Sequence, residues 1–186
     1  LLFGSDKMSK SKGNVIYADD LIRRFGLDGV RYYLLSEMPY QNDGTITYEN
    51  FIARYNTDLA NTLGNLVSRT VAMTKKYFDG VIPSPAGDEG PDAELKAAAA
   101  DAYANFTANM DTFHAADALD AVFTLLRRAN KYIDETAPWA LAKDEAQRAR
   151  LGTVLYNLLE SLRITAILLR SAMPDSAEKI LAAIGS

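Results

Sequence analysis

Leu151, Val154, Leu155, Leu158, Leu162, Ala166 and Leu169 recur at steps of three and four residues. Only a helix turns such a series onto one face, so this stretch predicts a long buried helix ended by Pro174. Leu119, Val122, Phe123, Leu126, Ala129 and Ile133 repeat the pattern, as do Phe51, Tyr55, Leu59, Leu63, Leu66, Thr70, Met73 and Tyr77. A further helix is expected from about Asp92 to Met110, and a short last one in "DSAEKILAAI". "TAPW" restarts the chain after the second stripe, with Thr136 as the expected cap and Pro138 in the first turn. "DGVIPSPAGDEGP" (79–91) interrupts the series and reads as a surface connector. Loops elsewhere are short, which favours antiparallel neighbours. The fold class predicted is mainly α, an antiparallel helical bundle over 51–186.

Residues 1–50 follow another pattern and predict a small α/β cap. Residues 4–18 read as a loop. Asp19 or Asp20 is expected to cap a short helix that Gly26 stops, and Asp28 to open a second one that Pro39 ends. "QNDG" then reads as a turn and "TIT" (45–47) as a strand. Tyr32 and Tyr33 are expected in the core, with one hydroxyl reaching solvent.

Composition narrows the function. With 48% hydrophobic residues the chain can bury a real core. It has no cysteine, which excludes disulfides and thiolate metal sites and fits a reducing cytosol. No signal peptide is visible, and no stretch reads as a membrane span. The first residues, Leu1-Leu2-Phe3-Gly4, lack a methionine, as an excised fragment would. Net charge is -4, whereas proteins that grip nucleic-acid phosphates unspecifically are usually strongly basic. Any nucleic-acid contact here is expected to be local and shape-specific.

One stretch stands apart. "KMSKSKGN" (7–14) combines Lys7, Lys10 and Lys12 with Ser9 and Ser11, and Gly13 permits a tight backbone path. Mobile ammonium groups and hydroxyl donors suit a polyphosphate whose charge develops during reaction. A basic loop of arbitrary order is usually only solvated, so composition decides nothing here; the order of residues does. A chance match to five fixed residues in a chain of this length is on the order of one in ten thousand.

"KMSKS" is the signature of class I aminoacyl-tRNA synthetases, and "KMSKSKGN" resembles its form in methionyl-tRNA synthetases. "FGLDGVRYYLLSEMPYQNDG" (25–44), "YNTDLANTLGNLVSRT", "KKYFDGVIP" and "KYIDETAPWALAKD" (131–144) are similar to segments of the same family. The combination of "NLVSR" with "APW" separates it from the isoleucine, valine, leucine and cysteine enzymes. The resemblance implies a segment running from the KMSKS loop through the anticodon-binding helices. In such enzymes methionine attacks the α-phosphate of ATP, used with Mg2+, and the methionyl group then moves to tRNA. Lys7 and Lys10 match the loop lysines that act in catalysis, and Lys7, Ser9, Lys10 and Ser11 the ATP-binding stretch. The family's HIGH motif has no match, since His114, the only histidine, lies in "FHAAD". The nucleotide-binding fold and zinc-bearing insertion also have no match. The isolated chain is therefore expected to bind no cofactor or metal and to activate no methionine alone.

The other end carries the expected RNA contacts. Asn61, Asn65 and Arg69 are spaced by four and form one polar stripe beside the apolar seam. Single-stranded RNA is read by stacking splayed bases on aromatics or guanidinium planes and hydrogen-bonding their edges. Asn65 and Arg69 match the family positions that bond anticodon bases. Trp139 matches the residue that packs on the first base of CAU, with Pro138 fixing the backbone that presents it. Arg127, Arg128 and Lys131 read as a charged helix face, and His114 as a residue that caps or packs at a helix start. The implied partners are the anticodon loop of methionine tRNA and the catalytic remainder of a synthetase, and a homodimer of the longer protein is compatible. The implied location is the cytoplasm. The alternative is a non-catalytic tRNA-binding helical module, which would have no use for a leaving-group clamp.

Overall fold

A computed structural model of the chain describes residues 2–3, 6–9, 11, 13–37 and 44–185. Helix α1 spans Ala18–Glu37 but is broken at Gly26, whose φ of 76° and ψ of 159° no helix contains. Gly26 thus ends the first half, as its sequence position predicts. Asp19 and Asp20 lie inside the first turn rather than ahead of it. There the Tyr17 carbonyl accepts from the Asp20 and Leu21 amides. The expected Pro39 stop and the turn at 41–43 fall outside the described residues.

Strands β1 (Leu2–Phe3), β2 (Asp6–Lys7) and β3 (Thr45–Ile46) form a small sheet in the order β2-β1-β3. β1 pairs antiparallel with β2, Leu2 opposite Lys7, and parallel with β3, Leu2 opposite Thr45. The start of the expected loop is therefore strand; two-residue strands carry no periodicity to read. This sheet and α1 enclose a small core of Leu21, Val30, Tyr33, Ile46 and Phe51. The Phe51 ring lies 4.5 Å from that of Phe25 and 4.7 Å from that of Tyr33.

The backbone at Gly26 is close to glycine-only, so Gly26→Ala carries a strain of about 1–3 kcal/mol. The expected result is a lower urea midpoint with unchanged slope. An unchanged midpoint would mean that the break is not held there.

α2 (Tyr48–Arg54) starts where the Thr47 hydroxyl accepts the Asn50 amide. It runs into a widely wound stretch, Tyr55–Gly64, in which backbone bonds reach five residues back, and then into α3 (Asn65–Phe78). The connector 79–91 follows, mostly exposed. It is pinned to the bundle by buried Pro83 and by the Ala86 amide, which donates to the Thr153 hydroxyl at 2.9 Å. Then come α4 (Asp92–Asp111), α5 (Ala115–Thr136), the short α6 (Pro138–Leu141), α7 (Arg148–Leu169) and α8 (Pro174–Ile184). The fold is mainly α, a helical bundle preceded by a small α/β cap.

α5 and α7 supply the centre of the larger core. Every residue of the 119–133 and 151–169 stripes is buried. Against the expectation that no stretch reads as a membrane span, residues 145–169, read above as a buried helix, hold a window with mean hydropathy 1.2, long and apolar enough to cross a membrane. Of that window 72% is buried inside the protein, as in a core helix. The 51–77 stripe is less regular. Phe51, Leu63, Leu66 and Thr70 are buried, but so are Asp58 and Thr74, while Tyr55, Leu59, Met73 and Tyr77 are half-buried.

Polar side chains tie the cap to the bundle. The Tyr32 hydroxyl donates to buried Asp58 at 2.7 Å rather than reaching water, and Arg54 bridges Asp58 (3.1 Å) and Glu37 (2.8 Å). Burial, and then the Asp58 carboxylate, push the Tyr32 hydroxyl far above the usual phenol range. Arg31 donates to the Ala172 and Ser171 carbonyls, both at 2.7 Å. Asp28, expected to open a helix locally, instead accepts the Ser176 amide at 2.6 Å and so caps α8 from across the molecule.

A second polar node lies within the bundle. The Asp92 carboxylate is fully buried and accepts from the Tyr132 hydroxyl (2.6 Å), Arg150 Nη2 (2.8 Å) and the Glu89 amide (3.0 Å). Burial opposes its charge, but Arg150, Tyr132 and the Glu89 amide outweigh that and hold its pKa below the usual carboxylate range.

Candidate functional site

The loop 7–14 leaves the edge strand β2 with Lys7 exposed. Asn14 closes it. Its side-chain oxygen accepts the Ser9 amide at 2.8 Å, and its amide donates to the Lys7 carbonyl at 3.3 Å. One side chain thus bridges the two arms of the loop, with Gly13 at φ 68° just before it. The sequence reading passed over Asn14, although the motif ends on it. The Ser9 and Ser11 hydroxyls lie 2.8 Å apart. Met8 is half-buried against the small core and anchors the base of the loop. Lys10 and Lys12 lie outside the described residues.

This donor set can be tested against ATP and its metal. Lys7, Ser9 and Ser11 offer an ammonium group and hydroxyls, which fit a polyphosphate. The loop contains no carboxylate, so it fits the nucleotide and not a magnesium ion.

At the far end, Asn61 and Asn65 are exposed and Arg69 is 33% exposed at its side chain. The Arg69 guanidinium sits 3.3 Å from Asp134, on the last turn of α5, which links the polar stripe to that helix. α5 ends in a sharp turn. Ala137 takes φ 42° and ψ 60°, its amide donating to the Ile133 carbonyl, and Pro138 is the first residue of α6. Thr136, expected as the cap of α6, instead ends α5 and donates to the Tyr132 carbonyl at 2.7 Å. Pro138 is buried, whereas Trp139 beside it is 45% exposed. An anchored proline therefore holds a half-exposed indole just beyond the helix that carries Asp134. Arg69, Asp134, Pro138 and Trp139 share this end of the bundle.

The neighbouring charges are occupied. Arg127 pairs with Asp120 (2.9 Å), Arg128 with Glu94 (2.6 Å) and Glu135 (2.9 Å), and Lys131 with Glu135 (3.3 Å). These residues form the charged helix face the sequence suggests. His114 is exposed at the start of α5 and meets the Thr112 hydroxyl at 2.9 Å.

The small sheet thus carries Lys7 exposed at the start of its loop, and the bundle joined to it presents Trp139 and a polar stripe. Residues 1–71 match the family described as tRNA synthetases class I (M). Residues 82–186 match the anticodon binding domain of methionyl tRNA ligase, and the chain belongs to that ligase family. It is 52% identical over 180 residues to the methionine–tRNA ligase of Clostridium tetani, covering 97% of this chain and 28% of that protein. The ligase of Caldanaerobacter subterraneus subsp. tengcongensis is 50% identical over 185 residues, with 100% and 29% covered. The chain thus spans under a third of the length of these relatives. Among solved structures, Mycobacterium tuberculosis methionyl-tRNA synthetase in complex with methionyl-adenylate matches with a TM-score of 0.90 and 42% identity, over 95% of this chain and 35% of that one. Its apo form matches with a TM-score of 0.86 and 40% identity, over 90% and 34%.

Proposed function

We propose that residues 1–50 carry the phosphate-facing loop of a methionine–tRNA ligase and that 51–186 recognise the CAU anticodon of methionine tRNA. The observation that supports this most is one end of the bundle, where Arg69 pairs with Asp134 on the last turn of α5 and Trp139 stands half-exposed just beyond that helix. Asn65 and Arg69 offer hydrogen-bonding groups to base edges, and the half-exposed Trp139 ring offers a stacking face. Pro138 and the Ala137 turn limit the loss of freedom when a base docks. A net charge of -4 goes with recognition through bases rather than through a broad phosphate grip.

At the other end, Lys7 and Lys10, with Ser9 and Ser11, would hold the polyphosphate of ATP when the catalytic remainder of the enzyme is present. ATP would supply the adenylyl group that joins the methionine carboxylate, with pyrophosphate leaving, and Mg2+ would be held elsewhere. The chain's own part is to place positive charge where the departing pyrophosphate gains negative charge. Asn14 keeps the backbone at Lys7 and Ser9 drawn together for that task. A cytoplasmic location and a catalytic domain as partner belong to the same reading.

Ultraviolet crosslinking of the purified chain to a methionine-tRNA anticodon hairpin tests the proposal. Crosslinks are expected in peptides containing Trp139 or Asn65–Arg69. Crosslinks confined to other helices would overturn it.

A further inference from the structure

Asn65 and Arg69 face outward because of how the chain is wound just before them. Over Tyr55–Gly64 the backbone takes the wider helix, and the Asn65 amide donates to the Ala60 carbonyl, five residues back. Each such turn takes nearly one residue more than an α-turn, so over ten residues the slip is roughly two positions, about half a turn. The near end of the stretch is anchored, since Asp58 holds Tyr32 and Arg54 and Phe51 is buried in the cap. Ordinary α-winding from that anchor would rotate α3 by about half a turn. Fully buried Leu66 and Thr70 would swing towards solvent, and Asn65 and Arg69 towards the core.

Three contacts favour the wide form. The Thr62 hydroxyl donates to the Thr57 carbonyl, again five residues back, at 2.8 Å. Gly64 lies so close to the Leu59 carbonyl that a Cβ there would sit 3.1 Å from it. At the end of this stretch the Asn130 side-chain amide, reaching from α5, donates to the Thr62 carbonyl at 3.0 Å while also meeting its own Leu126 carbonyl at 3.0 Å, so α5 holds a carbonyl of the widely wound segment in place.

We propose that Asn130 and Gly64 are positioning residues that hold the wide winding of 55–64 and thereby turn Asn65 and Arg69 towards the RNA. The proposal rests on the reading of Asn65 and Arg69 as base-contacting residues. Neither Asn130 nor Gly64 is assigned an RNA contact; each acts through the helix.

The test compares Asn130→Leu, Gly64→Ala and Arg69→Ala in the purified chain. The readouts are affinity for a CAU hairpin, affinity for the same hairpin with its first anticodon base changed, and hydrogen exchange at the Asn65 amide. All are measured at a temperature where each variant is folded. Asn130→Leu and Gly64→Ala are each expected to reduce the preference for CAU by about tenfold, within the range of one good base contact, and to change exchange at Asn65. Gly64→Ala acts on the same winding from the other side, so it carries the test if Asn130→Leu does not fold. If Arg69→Ala abolishes the preference while both other variants keep it and only melt earlier, the positioning role is overturned and the anticodon reading survives. If Arg69→Ala itself leaves the preference unchanged, the anticodon reading falls and this proposal with it.

Discussion

Asp92→Asn is expected to destabilise the bundle by about 3–5 kcal/mol, the cost of removing one partner from a buried ion pair. At this chain length that corresponds to a fall in melting temperature on the order of 10 °C. Asp92 is fully buried and meets Arg150, Tyr132 and the Glu89 amide, so it joins α4, α5, α7 and the connector. The Arg150 side chain is only 12% exposed, and its remaining anionic neighbour is the Glu89 carboxylate at 3.9 Å. Asparagine keeps the volume but leaves that guanidinium charge poorly compensated. The pH dependence follows in sign. The Asp92 pKa is lowered in the folded state, so its charge contributes fully above the ordinary carboxylate pKa. The contribution is lost as pH falls through the depressed folded value. Denaturation curves of wild type and variant should therefore separate at neutral pH and approach one another in acid. A variant as stable as wild type at neutral pH would show that the network contributes little.

Trp139→Ala is expected to weaken binding of the methionine-tRNA anticodon hairpin by about 1–3 kcal/mol, roughly 5- to 150-fold, while sparing the fold. A core tryptophan would behave oppositely, since truncating a buried one costs about 3–5 kcal/mol of stability. The indole here is 45% exposed, while Pro138 beside it carries the burial. Isothermal titration at fixed salt, with a thermal melt of both proteins, separates the two cases. A large fall in melting temperature with unchanged affinity would return Trp139 to the core and remove it from the interface.

The helices around the core were legible because their period and their burial coincide. Leu119 to Ile133 reads as a stripe and is one, whereas α7 is buried well beyond its predicted face, at Thr153, Asn157, Ser161 and Thr165 as well. The wide winding of 55–64 was not legible, since Tyr55, Leu59 and Leu63 step by four, a spacing that an α-helix accepts. Asp92 read only as a helix start and Asp58 gave no signal of its own, because their partners Tyr32, Tyr132 and Arg150 are distant in sequence. The same holds for Asp28 and Arg31, whose partners at 171–176 have no local signature. Within the candidate site, the residue order of 7–14 and the placement of Trp139 after Pro138 could be read directly. The bridging by Asn14 and the reach of Asn130 to Thr62 could not. Both are side-chain-to-backbone bonds that depend on the path of the folded chain.

On the proposed reading this bundle recognises an anticodon by its bases rather than binding RNA by charge. Its most direct test is the ratio of affinities for two hairpins, one with CAU and one with the first base changed, measured across a salt series. The account predicts a clear preference for CAU that persists as salt rises, because base contacts rather than counterion release carry it. Equal affinity for the two hairpins, with both falling steeply as salt rises, would contradict it.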